Sequence, residues 1–338
     1  MVAIVAIALR GAPHAAQTGS ASENLLQGKM AVSATELRQL RSGSAVVKSL
    51  ESSARQELVH LGVVRIQKRS DEFIARFRDI DRFERGPGIP QIGRFSTPPR
   101  LEDLASLTVP VDDVKALQRC HPGDCALKLS ADAMHHLRAQ VQWSSPTATR
   151  QASEAIRRML LDLLLAYQAR GNEALWRFDD GTQSLPVAEE FNALLSQPTL
   201  APVPIHALLS YLRDFPSNRP KDSEEFFYWA VVEFGLKPTI RLNHVVIQPL
   251  GGAGAPVAYA IATKQIYASH YFHTTLELRF LLDDISAGAP AFYLVSIVRS
   301  RNDGMTGFGG SLLRPIISRR SRNAVRGYLE YVKRQVEQ

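Results

Sequence analysis

The sequence predicts an α+β fold in which a curved antiparallel sheet packs against one long C-terminal helix. Residues 239–248, 258–282 and 292–299 have the composition and pattern of β-strands, and residues 240–246 and 266–280 divide into two faces with the two-residue period of a strand. After them, apolar side chains recur at helical spacing, at Val325, Leu329, Val332 and Val336. Strands closed by one long helix favour a sheet wrapped around that helix, with an interior able to hold an apolar ligand.

The elements before these strands are predicted from local signals. Residues 56–67 have the β-branched content of a strand, and residues 71–83 carry aromatic side chains at helical spacing. A short strand is predicted at 127–129. Residues 130–234 are predicted as a mostly helical insertion. Its long helix begins after Ser145 and ends before Gly171, and its shorter helices are predicted at 187–195, 205–215 and 223–234.

The first 30 residues are predicted to be a signal-like segment and a linker, and residues 31–338 a single domain. Residues 2–9 are unbroken apolar, and Ala15 and Ala16 provide a small-residue context for cleavage near Gln17. The basic residues that usually precede such a segment are missing, so an edge strand or a disordered tail is the alternative. The predicted localisation is therefore periplasmic or secreted.

The chain has two cysteines, Cys120 and Cys125, which flank a Pro-Gly pair. Pro-Gly is a type II turn signal, and such a turn brings the flanking residues within disulfide distance. A structural disulfide is the favoured interpretation, and it agrees with export. Two free thiols and a metal or redox site are the alternatives. A zinc site would need two further ligands, and no metal or cofactor is predicted.

Several classes of function lack their sequence signals. There is no nucleophile elbow, phosphate loop, zinc finger or RNA-recognition signature, and aromatic and basic residues are not interleaved as they are in nucleic-acid platforms. Nucleic acid is therefore not the expected partner. His270 and His273 point to opposite faces of a strand, which disfavours a metal pair. Three adjacent acidic pairs are interpreted as solvated turn or helix ends: Asp112-Asp113, Glu224-Glu225 and Asp283-Asp284.

The C-terminal segment carries most of the net charge. From residue 299 onwards, nine Lys and Arg residues against three acidic residues give +6, of +7 for the whole chain. Residues 302–311 form a glycine-rich apolar loop within this segment, and apolar tips with basic flanks suit an anionic bilayer surface. The alternative is a tight turn packed on the protein's own core. The predicted membrane contacts are Met305, Phe308, Leu312, Arg314, Arg319, Arg320 and Arg322.

The predicted order of elements resembles the START-like (helix-grip) superfamily of lipid-binding and cyclase-like domains. A strand and helix at 63–83, antiparallel strands at 238–299 and a terminal helix from Ser318 carry the resemblance. The residues around 264–272 and the Cys-x-Pro-Gly-Asp-Cys turn are also similar to uncharacterised exported bacterial proteins. The superfamily implies a helix lying across a curved sheet that encloses an apolar cavity. It supplies no universal catalytic residues.

The sequence therefore predicts an exported protein that binds or carries an apolar or lipid-like molecule beside a membrane. The side chains expected to orient the polar end of that molecule are His244, His270, Tyr267 and Tyr271. An enzyme of cyclase or hydrolase type on the same scaffold is one alternative, and a structural envelope protein without a ligand is another.

Overall fold

An eight-stranded antiparallel sheet forms the centre of the molecule. The computed structural model describes residues 20–52, 54–86, 88–197, 200–251, 255–285, 288–303 and 307–338, without the side chains of 307–313. The sheet has the order β1-β2-β10-β9-β8-β7-β6-β3. Its strands are β1 (Val46–Leu50), β2 (Glu57–Ile66), β3 (Gln91–Arg94), β6 (Glu224–Val232), β7 (Thr239–Pro249), β8 (Val257–Ala268), β9 (Phe272–Asp283) and β10 (Phe292–Asn302). A separate two-stranded pair consists of β4 (Arg177–Phe178) and β5 (Leu185–Pro186).

Helices cover both faces of this sheet. They are α1 (Ala21–Met30), α2 (Ala34–Arg41), α3 (Ser70–Phe77), α4 (Ile80–Phe83), α5 (Val111–Arg119), α6 (Ala131–Ala139), α7 (Ala148–Arg170), α8 (Val187–Leu195), α9 (His206–Asp214) and α10 (Gly307–Glu337). Helices α3, α4 and α10 pack on one face, which we call the α10 face. Helices α1, α2 and α5–α9 pack on the other, which we call the α7 face. The α+β class predicted from the sequence is confirmed.

The prediction of a helix at 223–234 is wrong, because this segment is strand β6. Its side chains alternate between the two faces: Phe227 and Trp229 belong to the α7 face, and Phe226 and Tyr228 to the α10 face. Since both faces are covered, both sets are apolar and the period of two disappears from the sequence. A short continuous apolar run of this kind is ambiguous between a strand and a buried helix.

Several other boundaries also differ from the predictions. Residues 258–282 form two strands, β8 and β9, whose connecting turn contains Tyr271 with φ +62°. Residues 127–129 form no strand, and the helix predicted at 71–83 is divided into α3 and α4. The linker predicted within the first 30 residues is helical from Ala21, with Leu26 and Met30 buried. Helix α10 begins at Gly307, so the loop predicted at 302–311 is wrong over its second half.

Some predictions fall on residues that the structure does not describe. The signal-like residues 1–19 and Met305 lie outside the described residues, and so do the side chains of Phe308 and Leu312. In the described part of the chain, no helix is long and apolar enough to cross a membrane. The division into residues 1–30, a domain at 31–338 and an insertion at 130–234 stays a prediction.

Helix α10 lies across β1 and β2 through its second half. Its Val325, Leu329, Val332 and Val336 are buried on the α10 face. Contact is close at Gly62 of β2, where an added Cβ would lie 2.6 Å from Leu329 Cδ1 and 2.9 Å from Val325 Cγ1. Side chains therefore fill the space between this part of the helix and the sheet.

We expect Gly62→Ala to destabilise the protein by about 1–3 kcal/mol, because the added methyl group overpacks the contact with α10. Gly327→Ala on α10 is the matched control, since its Cβ would meet nothing within 4 Å. Alanine there should stabilise the helix by up to about 1 kcal/mol. Urea unfolding of the three proteins measures both effects, and an equal gain in stability for the two variants would contradict the packing of α10 on Gly62.

The predicted disulfide between Cys120 and Cys125 is present, with an S–S distance of 2.04 Å. It closes the turn after α5, in which Gly123 has φ +89°. The turn is also held from outside the ring, because the Gly123 and Cys125 amides donate to the carbonyl oxygens of Asp179 and Asp180, at 2.8 and 3.0 Å.

We expect reduction of this disulfide to destabilise the protein by about 2 kcal/mol, because the closed loop is short and the unfolded chain gains little freedom. Unfolding with and without reductant measures the difference. Alkylation of the unreduced protein, followed by measurement of its intact mass, tests whether the bridge is present. Two alkylated thiols would show that the bridge is absent.

Candidate functional site

The first half of α10 presents a basic surface, defined here by Arg319, Arg320 and Arg322. All three side chains are exposed, and the described residues supply no acidic partner to any of them. Ile316 lies just before them and is 53% exposed. Among the described residues, this half of the helix therefore combines positive charge that has no acidic partner with an exposed apolar side chain. The membrane contact stays a prediction.

Arg314 is different from the other predicted membrane arginines. Its guanidinium donates to the carbonyl oxygen of Glu57, at 3.1 Å, and to that of Arg55. It therefore holds the start of β2 to α10. Arg322 acts on the interior in another way, because its charge adds to burial in lowering the pKa of His60 to about 4.

A buried hydrogen-bonded network on the α7 face contains His244, one of the predicted ligand residues. Its Nε2 lies 3.1 Å from Glu225 Oε2, and its Nδ1 lies 3.2 Å from the Tyr167 hydroxyl. Lys264 Nζ donates to the same hydroxyl, at 3.1 Å, and to Asn172 Oδ1. Tyr211 donates to Glu225 at 2.5 Å. The network thus connects a partly exposed carboxylate to a fully buried amine.

Burial controls the protonation of this network. It lowers the pKa of Lys264 well below its usual value and raises that of Tyr167 well above. It also lowers the pKa of His244, against the opposing hydrogen bond to Glu225. Burial on its own would raise the pKa of Glu225, but the hydrogen bonds from His244 and Tyr211 lower that pKa overall. The hydrogen bonds thus favour the carboxylate form of Glu225 at one end of the network, and burial disfavours the charged form of Lys264 at the other.

The Lys264 amine has the chemistry of a nucleophile or a base, but no route for a substrate. Its side chain is 0% exposed, and the Tyr167 and Phe191 rings lie 4.8 and 4.1 Å from Nζ. The network therefore orients side chains between the sheet and the helices of the α7 face.

His270 and Tyr267 lie together beside α5. His270 Nε2 is 2.9 Å from Asp113 Oδ1, and both side chains are buried. Tyr267 and Asp113 line a cavity of about 10 Å³, which is roughly the space of one water molecule. Asp113 Oδ2 is buried without a partner among the described residues. This cavity is too small for an organic ligand.

Tyr271 is separate from the other predicted ligand residues. It lies in the β8–β9 turn, where its hydroxyl accepts from the Lys237 amide at 3.1 Å. His244 is in the Lys264 network, while Tyr267 and His270 are beside α5. The structure therefore does not bring the four predicted residues to one common cavity.

His273 joins two acidic side chains near the start of α10. Its Nδ1 is 3.1 Å from Glu190 Oε2 and its Nε2 is 2.7 Å from Asp303 Oδ1. Burial acts to lower the pKa of His273, but the two carboxylates raise it overall. Lys128 and Arg301 pair with the same carboxylates, so the positive charges balance them. Across the described chain, no group of three or more His, Cys, Asp or Glu side chains is arranged to hold a metal ion.

The interpretation of the acidic pairs as solvated groups is wrong for the second member of each. Asp113 pairs with buried His270, Glu225 with His244, and Asp284 with Arg65 at 3.0 Å. Lys264 was also missed, although it occupies an apolar position of β8, between Ala262 and Ile266. The available signal was a lysine at a strand position where the neighbours on the same face, two residues away on either side, are apolar.

We expect Lys264→Met to stabilise the protein at neutral pH, with a gain that disappears towards pH 10.5. Burial lowers the pKa of Lys264, so between that lowered pKa and pH 10.5 the unfolded lysine binds a proton that the folded one does not; wild-type stability therefore rises with pH over this window, and the methionine variant lacks the rise. Each pH unit of lowering corresponds to about 1.4 kcal/mol. Urea unfolding between neutral pH and pH 10.5 measures the difference in stability between wild type and Lys264→Met, and Lys221→Met, at an exposed lysine, is the control. Parallel curves for wild type and Lys264→Met would contradict a lowered pKa of Lys264.

Comparison with protein-family models, curated proteins and solved structures gives no match for this chain. The fold shares a large antiparallel sheet and a long C-terminal helix with the START-like superfamily. Membership of that superfamily stays a prediction.

Proposed function

We propose that this chain is an exported protein that attaches to an anionic membrane surface through the first half of α10. The observation that carries the proposal is that Arg319, Arg320 and Arg322 are exposed and have no acidic partner among the described residues. Paired surface charges contribute little to binding, but these three are available to a partner. The short disulfide-bonded turn supports export, since disulfides persist mainly in oxidising compartments.

The two halves of α10 suit this role. The second half packs on β1 and β2, so the helix is held rigidly by the fold. The first half extends its arginines and Ile316 outwards. Each basic side chain near an anionic surface contributes about 1 kcal/mol, and salt screens that contribution. Ile316 adds an apolar contribution that is independent of salt.

Binding is favoured over catalysis by the position of the chemically reactive groups. Lys264, whose amine pKa is strongly lowered, is closed to solvent, and the buried rings of His244 and His270 are engaged with the carboxylates of Glu225 and Asp113. The apolar or lipid-like ligand expected from the sequence remains part of the proposal as cargo, without an assigned cavity.

We expect the triple variant Arg319→Ser, Arg320→Ser and Arg322→Ser to bind anionic vesicles roughly 100-fold more weakly at low salt, from about 1 kcal/mol per arginine. Co-sedimentation with phosphatidylcholine vesicles containing phosphatidylglycerol measures the partition. The difference should shrink as salt is added, because the lost contribution is electrostatic. Folding should be unaffected, since these side chains are exposed.

The matched control replaces Arg150, Arg158 and Arg170 by serine. These arginines are exposed on α7, on the opposite face of the sheet, so the change in net charge is the same. Their loss should leave most of the vesicle binding intact. Equal weakening of vesicle binding in both triple variants would show that binding depends only on net charge. Unchanged binding in the α10 variant would refute the proposed surface.

A further inference from the structure

His273 connects helix α8 to one end of the sheet. It lies at the start of β9, and its side chain is buried. Its Nδ1 is 3.1 Å from Glu190 Oε2, on α8, and its Nε2 is 2.7 Å from Asp303 Oδ1, in the residue that follows β10. One imidazole ring therefore joins three elements that are far apart in the sequence.

Both ring nitrogens of His273 face a carboxylate oxygen. A neutral imidazole has one N–H and donates to one acceptor, whereas an imidazolium ion donates from both nitrogens. Because an ionised carboxylate only accepts, the two contacts are both hydrogen bonds only when the ring is protonated. The geometry therefore fits the imidazolium form.

The two carboxyl groups favour their ionised forms. Burial on its own would raise the pKa of Glu190 and of Asp303. Hydrogen bonds from His273, together with the charges of Arg301 and Lys128, lower both pKa values overall. Neither carboxyl group is therefore available as a donor to a neutral ring at neutral pH.

The charge balance around the ring points to the same form. The described side chains of this cluster that carry charge are Glu190, Asp303, Asp180, Lys128 and Arg301. Lys128 Nζ lies 2.8 Å from Asp303 and 3.3 Å from Asp180, which follows β4. Arg301 pairs with Glu190 at 2.7 Å. Three carboxylates thus meet two cations, and a protonated His273 supplies the third positive charge.

The contribution of this cluster to stability depends on pH in a defined direction. Burial on its own would lower the pKa of His273, but the hydrogen bonds to Asp303 and Glu190 raise it overall above 6.5. Below pH 6.5 the ring is protonated in the folded and the unfolded protein, and its contribution is complete. As the pH rises through the raised pKa, the folded ring loses its proton and the contribution is lost.

We infer that His273 is a pH-sensitive clamp, whose protonated ring joins α8 to the residue after β10 and whose neutral ring holds only one of the two. On loss of the proton, one carboxylate faces a ring nitrogen that no longer donates, and that contact opens. The docking of α8 is therefore tightest in mildly acidic solution. The clamp uses none of the arginines on the first half of α10, so the inference does not depend on membrane attachment.

The first test follows the protonation of His273 by NMR, through the Cε1–Hε1 signals of the histidine rings. His273→Gln identifies the signal by its loss. We expect a titration midpoint above 6.5 that moves down in Glu190→Gln, because one of the two carboxylates is removed. Glu189→Gln is the matched control, since it makes the same charge change at an exposed position of α8. A midpoint at or below 6.5, or equal shifts in the two variants, would overturn the inference.

The second test measures amide hydrogen exchange in α8 from about pH 6 to about pH 9, corrected for the intrinsic exchange rate. In wild type, the protection of α8 should fall by up to about tenfold per pH unit between 6.5 and the titration midpoint of His273. His273→Gln has no ring proton to lose, so this fall should be absent.

Helix α2 is the internal control, because it contributes no side chain to the cluster. Its protection should show no fall of this size in either protein. The same fall of α8 protection in His273→Gln, or no larger fall in α8 than in α2 of wild type, would show that His273 does not control the docking of α8.

Discussion

An antiparallel sheet covered on both faces is the constraint on which this structure depends. In most antiparallel sheets one face is solvated, so polar residues of the strands have water as their partner. Here that partner is excluded, and polar side chains of the inner strands must find partners within a layer. Lys264 and His244 do so through Tyr167 and Glu225, and Arg279 through Glu84 and Glu277.

The terminal helix connects the interior to the surface. Its second half contributes Val325, Leu329, Val332 and Val336 to the core, and Gly62 provides the space for them. Because that half is fixed, the arginines of the first half have a defined position relative to the sheet. A rigid basic surface loses less conformational entropy on binding than a flexible tail of the same charge.

The sequence was sufficient for the α+β class, the terminal helix and the C-terminal strands, because 239–248 and 292–299 retain strong strand signals. It was insufficient for β6, because apolar residues on both faces of this strand remove the alternation of apolar and polar side chains. The disulfide followed from local turn chemistry. The site residues were harder, since His244 and Lys264 interact with Tyr167 and Asn172, which lie more than 70 residues away. No local pattern encodes such pairings, and only the docking of α7 on the sheet creates them.

The strands at the two ends of the sheet have a consequence for molecules crowded side by side. The outermost strands, β1 and β3, contain five and four residues, while the inner strands have nine to twelve. A neighbouring chain that approached the sheet laterally would meet few free backbone groups at either end. Short outer strands are one way in which natural sheets avoid joining into fibres. A protein concentrated on a surface is in particular need of this protection, because its neighbours are held at close range and in similar orientations.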